Sequence, residues 1–330
     1  MHKLTRSTVA GTLGALALTA GSLTLSQSAH AWEPKKPIDF VIMAGKGGGA
    51  DKMARLMQSV IEKHKLSSKP VVPNNKPGGS GAEALIHLKN AKGLNADHTI
   101  MVTLNSFYTT PMRQPNLKVD SLSFAPIGRM AEDTFLLWVH KDAGLSSFDE
   151  FVTAAKAKGN DWIMAGTGKG QEDQLLTDFL NRTYGLKMKY VPYKGGGRVA
   201  KELAGKHANS TVNNPSEALG FYEAGTVKAL AAFTPSRIDL FKDAPTFTEM
   251  GKDFSYFMQR SVVGAPGMSA DAQAYYSDLF KKVYDSAEWQ KYMKSKALQG
   301  EFLTGSALQA YWKENNDRHM KMLKEIGEIK

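Results

Sequence analysis

The chain of 330 residues reads as an α/β protein built in two lobes around a shared cleft. Short apolar runs of strand length alternate with amphipathic helical runs through most of the chain, the alternation that lays parallel strands beneath helices. Two segments, residues 42–51 (IMAGKGGGAD) and 163–173 (IMAGTGKGQED), are near-copies a third of the chain apart. In each, a short apolar strand runs into a glycine loop with one lysine, then an acid and a helix. Glycine lets backbone approach a ligand closely, and the free N–H groups of a following helix favour an anion. Two such units suggest two lobes offering backbone donors to one cleft.

An export segment comes first. His2, Lys3 and Arg6 give a positive start, residues 9–25 form an apolar run thinned by Gly, Thr and Ser, and Ala29-His30-Ala31 is a small-x-small cleavage site. The run is too short and too weakly apolar for a good membrane span. Cleavage after Ala31 is expected, giving an exported chain that begins at Trp32; a retained N-terminal anchor is the alternative. Residues 1–31 contain Lys3 and Arg6 and no acid, so their removal lowers the formal charge from +10 to +8. The absence of cysteine excludes disulfides, thiolate metal sites and a cysteine nucleophile. The basic residues are spread out and form no cluster interleaved with aromatics, which favours a small organic anion over nucleic acid as partner.

The elements follow in order. A strand is expected at 39–44 with its helix at 53–64, then a strand at 70–73, a helix at 79–91 and a strand at 99–104. Residues 124–130 and 135–140 read as two further strands. Ser146 or Ser147 can cap a helix running to about Lys158 by accepting from its first free N–H groups. The second glycine unit places a strand at 162–165 and a helix at 175–184. A strand at 188–191, a loop at 194–197, a helix at 198–206, a strand near 209–212, a helix at 215–224 and a strand at 227–233 complete the middle. The tail after Pro266-Gly267 is helical. Ser269 can cap one helix there, and Asp285…Glu288 and Ser306…Gln309 have capping-box spacing. Trp312, Leu323 and Ile326 give the last helix an apolar face for packing on its own domain. Ligands sit at the carboxyl ends of parallel strands, so the loops after Ala44, Leu104, Ala165, Val191 and Val212 converge on one place.

Several motifs carry possible chemistry. Gly45-Lys46-Gly47-Gly48-Gly49-Ala50 fits G-x-G-x-x-G/A, yet the second strand ends in Pro73-Asn74-Asn75 and lacks the acid that would hold a ribose. Gly78-Gly79-Ser80-Gly81-Ala82 narrowly misses the G-x-S-x-G nucleophile elbow, and no His or Asp partner can be assigned to Ser80. The six histidines beyond residue 31 have no metal-binding spacing. Asp51 and Asp173 either cap helices or reach the ligand. Lys46 and Lys169 raise the local potential for an anion. Asn105-Ser106-Phe107-Tyr108 follows a strand with polar groups and rings, and Asn213-Asn214-Pro215-Ser216 is similar.

Several stretches run in order across essentially the whole exported chain. They are Gly47-Gly48-Gly49-Ala50-Asp51, Asn75-Lys76-Pro77-Gly78, Phe124-Ala125-Pro126-Ile127, Val191-Pro192-Tyr193-Lys194-Gly195, Asn213 with Pro215-Ser216, and Ala244-Pro245-Thr246. In these the chain resembles the extracytoplasmic solute receptors of the tripartite tricarboxylate transporter family, the TctC-like or Bug-type receptors. The resemblance implies a two-lobed periplasmic binding protein, type II-like, with a cleft between two parallel-rich sheets. It implies a monomer that is not an enzyme and uses no cofactor or metal. Such a receptor captures a small carboxylate and delivers it to membrane permease subunits.

By the same resemblance the chain crosses between lobes near Thr134 and Gln259. Lobe one is then 32–133 plus 260–330, and lobe two 134–259. The loop Ala44, Gly45, Lys46, Gly47, Gly48, Gly49 and Asp51 is expected to grip one carboxylate, largely through backbone groups and held waters. Asn105, Ser106 and Phe107, with Gly166, Thr167, Gly168, Lys169 and Gln171, bind from the facing side. Asp173, Tyr193, Asn213 and Ser216 complete the expected set. Position 50 is Ala where the family usually has Thr, and Lys46 replaces its usual proline. Glu172-Asp173 stands where uncharged residues and a His are common; the pair favours an amine-bearing ligand or simply caps the helix. Phe107 and Tyr108 could stack on an aromatic acid. The rivals are a secreted enzyme using the same cleft, either a Ser80 hydrolase or a dinucleotide-dependent one, and a receptor that reports to a membrane sensor.

Overall fold

The structure, a computed structural model, describes residues 32–330. The expected export segment and its cleavage site lie outside the described residues. In chain order the strands are β1 (Ile38–Ile42), β2 (Val71–Asn75), β3 (Thr99–Val102), β4 (Ala125–Asp133) and β5 (Leu136–His140), then β6 (Ile163–Gly166), β7 (Lys189–Pro192), β8 (Ser210–Asn213), β9 (Val227–Ala232) and β10 (Met258–Gly264). The helices are α1 (Gly49–Lys63), α2 (Ala82–Lys89), α3 (Ser106–Arg113), α4 (Phe148–Lys158), α5 (Glu172–Tyr184), α6 (Gly196–Ala204), α7 (Pro215–Glu223), α8 (Ala270–Asp285), α9 (Ala287–Ser295) and α10 (Gly305–Glu325).

The strands form two five-stranded sheets, ordered β2-β1-β3-β10-β4 and β7-β6-β8-β5-β9. Each sheet has a parallel core of three strands, β2-β1-β3 and β7-β6-β8. Beyond that core the parallel-rich sheets are mixed. β10 runs antiparallel to both β3 and β4, and β5 antiparallel to both β8 and β9. These are the strands by which the chain enters one sheet from the other, so they run against the strands beside them. The two crossings are tied together: Phe233 donates its N–H to the Phe135 carbonyl (3.0 Å), and Tyr256 donates to the Phe233 carbonyl (2.8 Å).

β10 escaped the strand reading because Gln259, Arg260 and Ser261 give it a polar sequence although all three are buried. The helix α3 was read as a loop; Pro111 sits inside it, and two of its residues are the weak helix former Thr. The capping expectation holds for Ser147, which accepts from the Glu150 N–H (3.2 Å) while Glu150 accepts in return from the Ser146 N–H (2.5 Å). Ser269 likewise accepts from the Ala272 N–H (3.3 Å). The other two spacings shift. Ser286, not Asp285, caps α9 through the Trp289 N–H (3.2 Å). At α10 the cap position is Thr304, whose hydroxyl instead bonds the Ile127 carbonyl (2.8 Å), and Ser306 lies within the helix.

The tail folds back on the first sheet. Gln273 and Ser277 of α8 donate to the Pro126 and Ile127 carbonyls of β4 (3.2 and 2.8 Å). Trp289, Leu308, Trp312 and Leu323 are fully buried there, each large apolar side chain contributing roughly 1.5–3 kcal/mol through burial. Among the described residues no helix is long and apolar enough to cross a membrane.

Candidate functional site

A cavity of about 680 Å³ lies between the two sheets, walled by residues of both. The loop after β1 and the loop after β6 face each other across it, as the near-repeat suggested. The loops differ, however, in where their backbone donors go.

In the first loop Gly47, at φ +80°, takes a left-handed conformation that a side chain would strain. Its N–H donates to Asp51 Oδ2 (2.9 Å), while Asn75 Nδ2 donates to both the Ala44 carbonyl (2.9 Å) and Asp51 Oδ1 (3.0 Å). Asp51 therefore sits inside the first turn of α1 and reaches back to hold the loop. Burial disfavours its charged form, but the bonds from Gly47 and Asn75 and the charge of Arg55 outweigh this and hold its pKa below the usual carboxylate value. Asn75 stands where a dinucleotide site would place its acid, and it is committed to bracing the loop.

In the second loop the amides are satisfied from within. Thr167 donates to Asp173 Oδ2 (2.8 Å), Gly168 to Gln171 Oε1 (2.7 Å) and Gly170 to Gln174 Oε1 (2.8 Å). The expectation that both loops present free backbone donors is corrected at both: Gln171, Asp173 and Gln174 at the start of α5 take amides of the second loop, and in the first loop Gly47, Gly48 and Gly49 donate to Asp51, the Gly45 carbonyl and Glu217. The Asp51–Gly47 and Asp173–Thr167 bonds are the same device used twice, an acid in the first helical turn reaching back to its loop.

Of the expected site residues, Ala44, Gly45, Lys46, Gly48, Gly49, Thr167, Gly168, Gln171, Asp173 and Tyr193 line the cavity. Gly47 is exposed and outside the lining, while Asp51 and Gly166 are buried behind it; a Cβ at Gly166 would collide with the Tyr190 hydroxyl. Lys169 is exposed, and its carbonyl accepts from Arg113 Nη1 (2.6 Å). Asn105 is consumed by the fold: its amide donates to Tyr256 Oη (3.1 Å) and the Phe257 carbonyl (2.8 Å) and accepts from the Gln259 N–H (3.0 Å). Asn213 donates to the Gly196 carbonyl (3.1 Å) and accepts from the Asn214 N–H (2.9 Å). Ser106 and Ser216 are buried, and neither hydroxyl has a partner among the described residues. The ring of Phe107 is fully buried against Tyr108, Phe124 and Trp312, and Tyr108 stacks on His319, so neither ring faces a ligand. The first turn of α3 aims Phe107 into the core rather than the cleft.

Sequence reasoning flagged the acidic pair Glu172-Asp173 but missed Glu217 and Arg260, which complete a charged wall with it. Glu172, Glu217 and Arg260 all line the cavity. Glu217 Oε1 accepts from the Gly49 N–H across the cleft (3.3 Å), and Glu172 Oε1 accepts from the Asn105 N–H (2.7 Å). Arg260 donates to Asp133 through Nε (3.1 Å) and Nη2 (2.5 Å), with both side chains almost wholly buried. Burial raises the pKa of Glu172. It raises that of Asp173 well above the usual carboxylate value, with the Glu217 and Glu172 charges adding to the effect. It pushes Glu217 up to about 7, Arg260 opposing and Asp133 assisting. Glu217 is only partly buried by surface area, because its remaining exposure is to the cavity it lines.

Ser80 lines the cavity too, but the lining contains no histidine to serve it as a base. Among the described residues no group of three or more His, Asp or Glu is placed to hold a metal ion.

Comparison with known proteins places this geometry in context. The family model described as "Tripartite tricarboxylate transporter family receptor" matches residues 53–328. A "UPF0065 protein in gbd 5'region" of Cupriavidus necator is 23% identical over 329 residues, covering 99% of this chain and 97% of that protein. "Protein BugT" of Bordetella pertussis is 24% identical over 224 residues, 66% of this chain and 67% of its own. Among solved structures, the periplasmic binding protein BugD superposes with a TM-score of 0.82 at 23% identity, covering 89% of this chain and 98% of that one. Rpa4515 of R. palustris, solved with adipate, has a TM-score of 0.79 at 21% identity, covering 88% and 97%. MatC of Rhodopseudomonas palustris, solved with malate, has 0.78 at 20%, covering 88% and 99%. At these identities the superpositions establish the two-lobed fold.

Proposed function

The chain belongs to the receptors of the tripartite tricarboxylate transporter family, which are binding proteins rather than enzymes, and from that premise we propose that it captures a small organic carboxylate in the periplasm and hands it to membrane permease subunits. The observation that carries this reading is the cavity of about 680 Å³ between the sheets. It is large enough for a small acid, it lies at the carboxyl ends of β1 and β6, and its walls come from both lobes. Adipate and malate, the acids bound by two structural relatives, are of a size that such a cavity holds.

The lobes divide at the crossings, residues 32–133 with 260–330 against 134–259. The ligand set is the cavity wall of both glycine loops with Tyr193, extended by Glu172, Glu217 and Arg260. Closure is a hinge motion at the paired crossings around Phe135, Phe233 and Tyr256, and the permease reads the closed form. The export segment 1–31 is removed after Ala31, and the receptor acts as a monomer.

A thermal-shift screen of residues 32–330 tests this. The panel holds citrate, C4–C6 dicarboxylates, aspartate, glutamate, nicotinate and terephthalate, with NAD and phosphate as controls. A ligand at about 100 times its dissociation constant stabilises by about 2.7 kcal/mol, a shift of several degrees. A shift with a carboxylate supports the reading. A shift with NAD alone contradicts it.

A further inference from the structure

The cleft already contains its own anions, and they occupy the positions where a simple anion would dock. Glu217 accepts from the Gly49 N–H at the start of α1 (3.3 Å). It also packs on Gly196 at the start of α6, where a Cβ would collide with its carboxylate. Two helix N-termini, each favourable to negative charge, thus converge on a carboxylate that belongs to the protein. Glu172 takes the Asn105 N–H (2.7 Å), and Asp173 takes the Thr167 N–H (2.8 Å). The one buried cation of the lining, Arg260, is engaged by Asp133 through a bond of 2.5 Å. The lining therefore sets three carboxylates, Glu172, Asp173 and Glu217, around one buried guanidinium that is already paired with Asp133 behind the wall. Lys46 and Lys194 are exposed at the rim.

Carboxylates held this way, out of bulk water and short of cations, are costly to keep charged. The upward push on Glu172, Asp173 and Glu217 expresses that deficit. A second observation points to a ligand group beside them. Ser216 is 8% exposed and its hydroxyl has no partner among the described residues. A Cβ at Gly49 would stand 2.8 Å from Arg260 Nη2 and 3.3 Å from Ser216 Oγ, so both donors lie beside Gly49 at the start of α1, Arg260 in the cavity wall and Ser216 buried directly behind it. Tyr193 adds an aromatic ring to the lining, a surface on which a cationic nitrogen can rest.

We propose that the ligand carries a positively charged nitrogen beside its carboxylate, seated against Glu217, Glu172 and Asp173, so that the cleft selects zwitterions over plain di- and tricarboxylates. This rests on the receptor reading above. Arg260, Ser216 and the rim lysines receive the carboxylate. The acidic wall receives an ammonium or alkylated ammonium, whose charge the empty wall lacks.

Matched pairs that differ only in the nitrogen test the proposal. Residues 32–330 are titrated calorimetrically with butanoate against 4-aminobutanoate, hexanoate against 6-aminohexanoate, and succinate against aspartate. Where a pair binds, the amino member should bind at least about tenfold tighter, the worth of one charge-assisted hydrogen bond. Glu217→Gln should remove most of that preference. Gly196→Ala, which forces the Glu217 carboxyl from its seat, should do the same while leaving the charge present. A plain acid that binds as tightly as its amino partner, or tighter, overturns the proposal and leaves the receptor reading standing. A plain acid whose affinity rises in Glu217→Gln, with no amino preference in the parent protein, would show Glu217 to be a displaceable placeholder and also overturns it. Binding of neither class at millimolar concentration overturns the proposal, and overturns the receptor reading too where the wider carboxylate panel also gives no shift.

Discussion

Arg260 donates through Nε and Nη2 to a single oxygen of Asp133, at 3.1 and 2.5 Å, and so clamps β10 to β4 where the chain leaves the first sheet at the end of β4 and re-enters it at the start of β10. The pair is almost wholly buried, its two side chains 2% and 1% exposed. It fixes the one guanidinium of the cavity wall at the hinge itself, linking the fold's crossing point to the electrostatics of the cleft.

Removing one partner leaves the other charge buried and uncompensated. Asp133→Ala should destabilise the protein by about 3–5 kcal/mol in urea unfolding. Replacing both, as in Asp133→Leu with Arg260→Met, should recover most of that loss, because an apolar pair of similar volume avoids desolvating the charges. Equal destabilisation in the single and double variants would contradict this.

Gly45 offers a clean way to fill the cavity. It lines the wall, and a Cβ built on it meets nothing within 4 Å. Gly45→Phe should fold with an unchanged thermal midpoint and lose ligand-induced stabilisation. A midpoint lowered by many degrees would show the position to be structural instead.

The carboxyl of Glu217 gives a pH signature whose sign is fixed. Burial pushes its folded-state pKa from 4.5 to about 7. Between these values the folded protein binds more protons than the unfolded chain. Stability therefore falls as pH rises from about 4.5 to about 7 and is level above that, by up to about 3 kcal/mol. His319 works the other way. Burial pushes its pKa down to about 4, so between about 4 and 6.5 the unfolded chain binds the extra proton and stability rises with pH. Urea midpoints at pH 5, 6, 7 and 8 for the parent protein and Glu217→Gln separate the two. Glu217→Gln should lose the fall toward pH 7 and keep the rise contributed by His319.

Arg113 clasps the lobes at the cleft edge. Nη1 donates to the Lys169 carbonyl (2.6 Å), and Nε to Glu328 Oε2 (2.9 Å), while Glu328 Oε1 accepts from Gln174 of α5 (3.2 Å). With the lobes divided as proposed, the bonds to Lys169 and Gln174 cross between them and are expected to break on opening. Arg113→Ala should raise the ligand-free radius of gyration in small-angle scattering and weaken binding several-fold, each lost bond being worth roughly 0.5–1.5 kcal/mol. An unchanged radius of gyration would mean that the clasp does not hold the cleft closed.

The residues show which features a sequence can disclose. The glycine loops were legible because close backbone approach leaves its mark in consecutive positions, 45 to 49 and 166 to 170. The parallel cores were legible because β1, β3 and β6 are short apolar runs. The charged wall was not. Glu217 meets Gly49 at a separation of 168 residues, and on α7 it is one polar residue among several, with nothing local to set it apart from its neighbour Ser216. Arg260 lies in a crossing strand whose polar residues hide its burial. Asn105 and Phe107 looked like cleft residues because they follow a strand, yet the fold spends one on the Tyr256–Gln259 backbone and buries the other beneath α10. The adjacent acids Glu172-Asp173 were visible, and their weight came only with Glu217 beside them.

The central claim is that the cavity between the two sheets binds one small carboxylate-bearing solute. Calorimetric titration of residues 32–330 with the acid that stabilises them most tests it directly. The account predicts one site per chain with micromolar or tighter affinity, about 8 kcal/mol, and no saturable heat for Gly45→Phe. Saturable binding that persists undiminished in Gly45→Phe, or none in the parent protein, would contradict it.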